Sequence, residues 1–216
     1  MKRTCSLTLA VLAVVLISSA RGDVESGPKA GDKLPSLKVF GVVGAVEGKE
    51  TDYVAERKDA PTVYIFVAAE EGGIPVGGRP AARFMKTLDQ QIGKIDGAAA
   101  IAVWLGDKAF DKHKEYLPRI NTSLKFENTS LAAFDGEKSG PKDWGVNADA
   151  HLTVVVANKG KVVKSFAFVS VNETDVRGVM AELKKAAGKK PPETPFWWHI
   201  GGSISQSRTA TSRCGC

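Results

Sequence analysis

The chain has 216 residues, a length that suits one domain with a sizeable hydrophobic core, and only three of them are cysteines. Its formal net charge is +6, but residues 23–188 carry 23 charges of each sign, because three basic residues precede them and four basic and one acidic residue follow. A nucleic-acid-binding protein needs a basic face that displaces counterions, so this neutral body argues against nucleic acid as a partner.

The N-terminal segment is typical of a secretory signal peptide. Lys2 and Arg3 precede an apolar run over residues 7–17, which is too short to span a bilayer core about 30 Å thick, and small residues follow. We expect cleavage after Ala20 or Gly22, and an uncleaved anchor helix is the alternative. The prediction is export to the periplasm or the cell exterior, with no transmembrane segment in the mature chain.

The first half of the body predicts alternating strands and helices. Residues 34–42 alternate apolar and polar side chains, as an edge strand or an extended entry would, and residues 50–60 could hold a short helical turn. Residues 62–69 are continuously apolar, which is typical of a strand covered on both faces. Pro80 suits a first helical position, and helical spacing of apolar residues continues from it to Ile95.

The second half of the body predicts five further elements. They are a buried strand at 97–106, a helix at 107–120, a short strand at 131–135, a hairpin at 151–169 and a helix at 172–188. Asp107 is the expected N-cap of the first of these helices. Phe110, Lys114 and Leu117 follow helical spacing along it. Asn172 or Thr174 should cap the last helix, which Gly188 should end.

The order of these elements predicts the fold class. Two apolar strands separated by a helix imply a parallel pair with a right-handed crossover. The hairpin, with its turn at residues 158–160, adds antiparallel strands. We therefore expect one α/β domain over residues 23–188, with a central mixed β-sheet flanked by helices.

Three stretches resemble a known superfamily. They are GDKLPSLKVFGV at 31–42, PTVYIFVAAEEGG at 61–73 and WGVNADAHLTVVVANKGKVVKSF at 144–166. These resemble the entry motif, the strand before the active-site loop and the late hairpin of the thioredoxin-like superfamily, and more narrowly of its redoxin and peroxiredoxin-related branch. The resemblance covers roughly residues 31–188 and implies a thioredoxin-like fold.

The resemblance also implies a redox site, which this sequence lacks. Active members carry a cysteine just after the first buried strand, at a helix N-terminus that lowers the thiol pKa. Here that place holds residues 68–73, Ala-Ala-Glu-Glu-Gly-Gly, and no Cys, Ser or Thr stands between Val67 and Arg83. His151 stands where the branch places a cis-proline. We interpret the loop as having the right geometry without the reactive atom.

The loop offers candidate binding residues instead, namely Glu70, Glu71, Arg79 and His151. A phosphate-binding interpretation of the glycines fails, because Pro80 has no N–H and no hydroxyl follows Arg79. We expect a flexible surface insertion from which Arg79 meets an anionic partner. Glu70, Glu71 and His151 could meet at one end of the sheet, but they are too few for a convincing metal site.

The sequence therefore predicts neither a bound metal nor a cofactor. His113 lies in a charged helical stretch, Asp-Lys-His-Lys-Glu, and we expect it to be exposed.

Residues 189–216 form a proline-rich and then polar tail. Its Cys214 and Cys216 could act as a dithiol or bind a soft metal. A terminus without function and an intermolecular disulfide are the alternatives. Trp197 and Trp198 are expected to pack on the body, with a membrane interface or a partner protein as alternatives.

Two functions remain open. The first is an exported thioredoxin-like domain without its catalytic cysteine, which acts as a binding or scaffold module through the loops at the sheet end. The second, implied by the resemblance, is a thiol-dependent oxidoreductase or antioxidant protein that uses Cys214 and Cys216.

Overall fold

The structure is a computed structural model that describes residues 24–106 and 108–188. Within these ranges no helix combines the length and the apolar character needed to cross a membrane. Several predictions fall outside the described residues, namely those on the signal segment, on Asp107, on Trp197 and Trp198, and on Cys214 and Cys216.

The described residues form one seven-stranded mixed sheet, as predicted. Its strands are β1 (Lys38–Val43), β2 (Glu50–Asp52), β3 (Thr62–Ala68), β4 (Ala99–Leu105), β5 (Thr129–Ala133), β6 (Leu152–Asn158) and β7 (Lys161–Phe168). Their spatial order is β2-β1-β5-β4-β3-β6-β7. The pairs β3–β4 and β4–β5 are parallel, and the other four pairs are antiparallel.

Helices cover both faces of the sheet. They are α1 (Tyr53–Arg57), α2 (Gly78–Ile92), α3 (Phe110–Leu124) and α4 (Val176–Ala186), with short 3-10 helices at Lys142–Trp144 and Glu173–Asp175. The side chains of α2, α3 and α4 share one core with the sheet, whereas α1 and the first 3-10 helix share the other.

The continuously apolar sequence of β3 follows from these two cores. Val63, Ile65 and Val67 face α2 and α4, and their neighbours Tyr64 and Phe66 face the other layer. Both aromatic rings pack against the ring of Trp144, at centroid distances of 5.2 and 4.9 Å. Because neither face of β3 meets solvent, alternation of polar and apolar residues would leave polar groups buried in a core.

Some predicted bounds were wrong. α2 begins at Gly78, so Pro80 is its third residue; a missing N–H is harmless anywhere in the first turn. α3 spans Phe110–Leu124 instead of residues 107–120, and Ala109 is its N-cap. β5 begins and ends two residues earlier than predicted.

β1 is not an edge strand, because the three-residue β2 pairs with its outer side. The predicted helical turn within residues 50–60 is α1, which Asp52 caps by accepting hydrogen bonds from the Val54 and Ala55 N–H groups. The hairpin turn is confirmed at Lys159 and Gly160, both of which have positive φ.

A buried carboxylate connects the end of α2 to the start of β5. Asp89 is 1% exposed and accepts hydrogen bonds from the Asn128 N–H and the Thr129 hydroxyl, both at 2.8 Å, and from the Glu127 N–H at 3.2 Å. Replacing it leaves these donors unsatisfied in a dry environment.

We predict that Asp89→Ala lowers the free energy of unfolding by about 3 kcal/mol, measured by urea denaturation. Gln90→Ala, at the exposed neighbouring position, is the matched control and should change it by less than about 0.5 kcal/mol. Equal effects of the two substitutions would contradict a structural role for the Asp89 carboxylate.

Candidate functional site

The candidate site lies where β3 ends and the chain turns into α2. Residues 69–77, here called the site loop, fold back on themselves. The Glu70 N–H donates to the Ile74 carbonyl at 2.9 Å, and the Val76 N–H donates to the Ala68 carbonyl at 2.8 Å. Ala69 and Pro75 form an isolated β-bridge. The loop is therefore hydrogen-bonded along its length, which is more regular than the flexible insertion expected from its glycines.

A buried hydrogen bond fastens the site loop to the sheet. The indole N–H of Trp104, at the end of β4, donates to the Gly73 carbonyl at 2.9 Å. Gly73 has φ of +84°, and a Cβ placed there would approach the Tyr116 side chain on α3 to 2.8 Å. Glycine is thus required at position 73, both for its φ and for the closeness of α3.

Exposed apolar side chains gather at this end of the sheet. Within the described residues, Ile74, Val76 and Val169 are the large apolar residues classed as exposed, at 49%, 42% and 42%. Val169 directly follows β7, and a Cβ placed at Gly77 would lie 3.5 Å from Val171, so the two segments meet. We call Ile74, Val76 and Val169 the apolar patch.

Glu70, Glu71 and His151 lie at the same end of the sheet. Glu71 and Glu70 are exposed, and the Glu71 carboxylate is 4.0 Å from the ammonium of Lys112 on α3. The half-buried His151 accepts a backbone hydrogen bond from Ala68 at 3.0 Å. In the part of the chain that the structure describes, no three acidic, histidine or cysteine side chains form a metal-binding group.

Arg79, the fourth candidate, is exposed in the first turn of α2. It lines a surface groove together with Arg83 and Lys86, which lie further along the same helix. Leu124, at the end of α3, and Glu173 also line this groove. The structure thus adds two cations that the sequence analysis did not single out.

The prediction that His113 is exposed was wrong. Its side chain is fully buried, on the same face of α3 as Leu117 and Ile120. The imidazole packs so tightly on Gly106, just after β4, that a Cβ at that glycine would collide with the ring. Neither ring nitrogen has a hydrogen-bond partner. The spacing of 113, 117 and 120 was the available signal, and the charged neighbours of His113 concealed it.

Burial lowers the pKa of His113, and the nearby Glu70 backbone opposes this effect to a smaller degree. The neutral imidazole is therefore the form that the fold favours. The ring lies against Gly106 at the end of β4, and the Glu70 backbone of the site loop is close enough to influence its pKa.

The similarity of this chain to known proteins lies in its structure and not in its sequence. No protein-family model matches the sequence, and no curated protein is significantly similar to it. Solved structures do match: BsSco, a member of the Sco family of cytochrome c oxidase assembly proteins, superposes with a TM-score of 0.53 at 13% identity, over 77% of this chain and 100% of that one. The fold is thioredoxin-like.

Two peroxiredoxins support this assignment. Prx3 from Vibrio vulnificus, crystallised reduced and with H2O2, has a TM-score of 0.51 at 17% identity and covers 71% of this chain and 96% of its own. A yeast mitochondrial 1-Cys peroxiredoxin has a TM-score of 0.50 at 14% identity, with 77% and 82% covered. At these identities the comparison assigns the thioredoxin-like fold alone, which the sequence resemblance also predicted.

We predict that the free energy of unfolding falls as the pH decreases from about 7.5 to 5.5 and that His113→Leu reduces this dependence. The unfolded chain has a histidine pKa of about 6.5, above the lowered folded value, so it binds more protons as the pH drops. Stability due to neutral His113 is thus complete above the unfolded pKa and is lost as the pH falls below it toward the lowered folded pKa.

Urea titrations across this pH range measure the effect. His151→Leu controls for the loss of an imidazole at this end of the sheet. Identical slopes for the wild type and His113→Leu would contradict the assignment.

Proposed function

We propose that this protein is a binding module, in which the thioredoxin-like fold presents an apolar docking surface at the sheet end. The supporting observation is the apolar patch, because it contains every large apolar side chain classed as exposed in the described residues. Single exposed apolar residues are ordinary, but three at one end of a sheet expose area that a partner can cover.

The chemistry of the site loop favours binding over catalysis. From Val67 to Arg83 the sequence has no cysteine, serine or threonine, so the site loop itself supplies no thiolate or hydroxyl nucleophile. Glu70 and Glu71 are exposed carboxylates and are weak nucleophiles. In this proposal the site loop is a rigid binding surface and does not take part in redox chemistry.

The proposal places this module outside the cytoplasm. Its support is the basic start, short apolar run and small residues of the N-terminal segment. N-terminal sequencing of the secreted protein should find Arg21 or Asp23 as the first residue, and an intact N-terminus on the secreted protein would contradict cleavage.

Selection from a phage-displayed library of random 12-residue peptides tests the binding role on the purified mature protein. We expect the retained peptides to be rich in apolar residues. Ile74→Ser/Val76→Ser should weaken their binding at least ten-fold, since burial of each side chain supplies about 1.5 kcal/mol. Fluorescence anisotropy with synthetic versions of the selected peptides measures the change.

Val54→Ser is the control away from the site, at a half-buried valine that packs against the core shared by α1. Val54 lies on α1, which leads into the opposite end of β3, so its substitution should change peptide affinity by less than about two-fold. Circular dichroism checks that each variant is folded. Failure to select any peptide, or peptides that bind the Ile74→Ser/Val76→Ser variant equally well, would contradict the proposed function.

The second candidate function is a thiol-dependent oxidoreductase that uses Cys214 and Cys216. Its support is the thioredoxin-like fold together with the Cys-Gly-Cys sequence, since these are the thiols that remain once the N-terminal segment is removed. A thiolate at one cysteine would attack a substrate disulfide, and the other would resolve the mixed disulfide.

We predict that the wild type accelerates neither insulin reduction nor peroxide consumption above the rate of the reductant alone, with thioredoxin, glutathione or dithiothreitol as reductant, because the site loop provides no activated thiol. Turnover in the wild type that disappears in Cys214→Ser/Cys216→Ser would establish the second function and contradict the first.

A further inference from the structure

We propose that the partner of this surface is an acidic polypeptide segment, whose carboxylates bind Arg79 and Arg83 while its apolar side chains cover the apolar patch. This inference rests on the proposed function and names the chemistry of the partner.

The geometry begins with a row of cations on α2. Arg79, Arg83 and Lys86 are separated by four and three residues, which places them in one row along a helix. We call these three residues the basic strip. It starts three residues after Val76, so the row of cations continues directly from the apolar patch. A single extended or helical segment can contact both.

The two arginines are available for a partner. Within the described residues, no carboxylate lies within 4.0 Å of either guanidinium, although Glu173 lines the same groove. Lys86 is occupied, because its ammonium donates to the Lys125 carbonyl at 2.8 Å and lies 3.8 Å from the Asp89 carboxylate. Arg79 and Arg83 therefore carry the recognition, and a guanidinium can bind a carboxylate through two parallel hydrogen bonds.

These arginines gain little from their own helix. The first turn of α2 contains no acidic residue, and its N-cap, Gly77, provides no side-chain hydrogen bond. The positive end of the helix dipole disfavours a cation in the first turn, so the charge of the exposed Arg79 is in an unfavourable position. Such departures from local preference are expected where a surface serves recognition.

The charge of the two terminal segments indicates that the occupant is another molecule and not a segment of this chain. The N-terminal and C-terminal segments outside the described ranges are both basic: residues 1–23 carry three cations and one carboxylate, and residues 189–216 carry four cations and one acidic side chain. Neither complements the basic strip. A nucleic acid fits less well than a peptide, because residues 23–188 carry equal numbers of positive and negative charges and lack the extended basic face that a phosphate backbone requires.

The peptides selected on the mature protein provide the test. We expect them to combine apolar residues with Asp or Glu. A synthetic peptide in which Gln and Asn replace the acidic residues should bind at least ten-fold more weakly than its parent. Raising the salt concentration from about 50 mM to 500 mM should weaken the parent peptide and leave the amide version nearly unchanged.

The charge-reversed variant Arg79→Glu/Arg83→Glu should remove the preference for the acidic peptide. Lys49→Glu/Lys58→Glu changes the same number of exposed charges beyond the site and should retain it. Because Arg79 and Arg83 are exposed, both double variants should fold, and thermal unfolding checks this.

Three results would overturn the inference. Selected peptides that depend on Ile74 and Val76 but bind equally well in acidic and amide forms would leave the proposed function intact and contradict the acidic partner. If single-stranded DNA binds more tightly than any selected peptide, the partner is a nucleic acid and not a polypeptide. A dimer in sedimentation velocity that Arg79→Glu/Arg83→Glu dissociates would make a second copy of the chain the occupant.

Discussion

The hydrogen bond from the Trp104 indole to the Gly73 carbonyl is the constraint on which the candidate site depends. Both groups are buried, so an unmade bond would leave a polar group without a partner in a dry environment. The bond fixes the middle of the site loop on the end of β4. The positions of Ile74 and Val76, the start of α2 and the direction of the basic strip all follow from that fixed point.

The scaffold around this bond explains how one loop can be held so firmly. β3 is covered on both faces and paired on both sides, so the strand that leads into the loop has little freedom to move. On the other side of the loop, α2 is attached to β5 through Asp89. A loop between two such elements can present exposed apolar side chains without collapsing onto them, which is a requirement for a preformed binding surface.

The sequence predicted most of the scaffold and less of the site. β3 and the β6–β7 hairpin were predictable, because a continuous apolar run and a glycine-containing turn are strong local signals. β2 has only three residues, too few to show a period, so the alternation in residues 34–42 predicts an edge strand or an extended entry and not a strand paired on both sides. On α3, tertiary packing places the Lys114 ammonium over the rings of Phe40 and Phe110, at 5.2 and 4.6 Å, while His113 is buried. The charged neighbours of His113 in the sequence predicted instead that its side chain would be exposed. The Trp104–Gly73 bond joins residues 31 apart and has no local signature.

Amide hydrogen exchange of the site loop tests the central claim most directly. The Glu70, Gly73 and Val76 N–H groups donate within the loop or to Ala68, so in the wild type they should exchange at least about 100-fold more slowly than in an unstructured peptide. Trp104→Phe keeps an aromatic ring but removes the donor to Gly73, and it should lose most of this protection while β3 keeps its own. Exchange of the three loop amides in the wild type at the rate of an unstructured peptide would contradict the account.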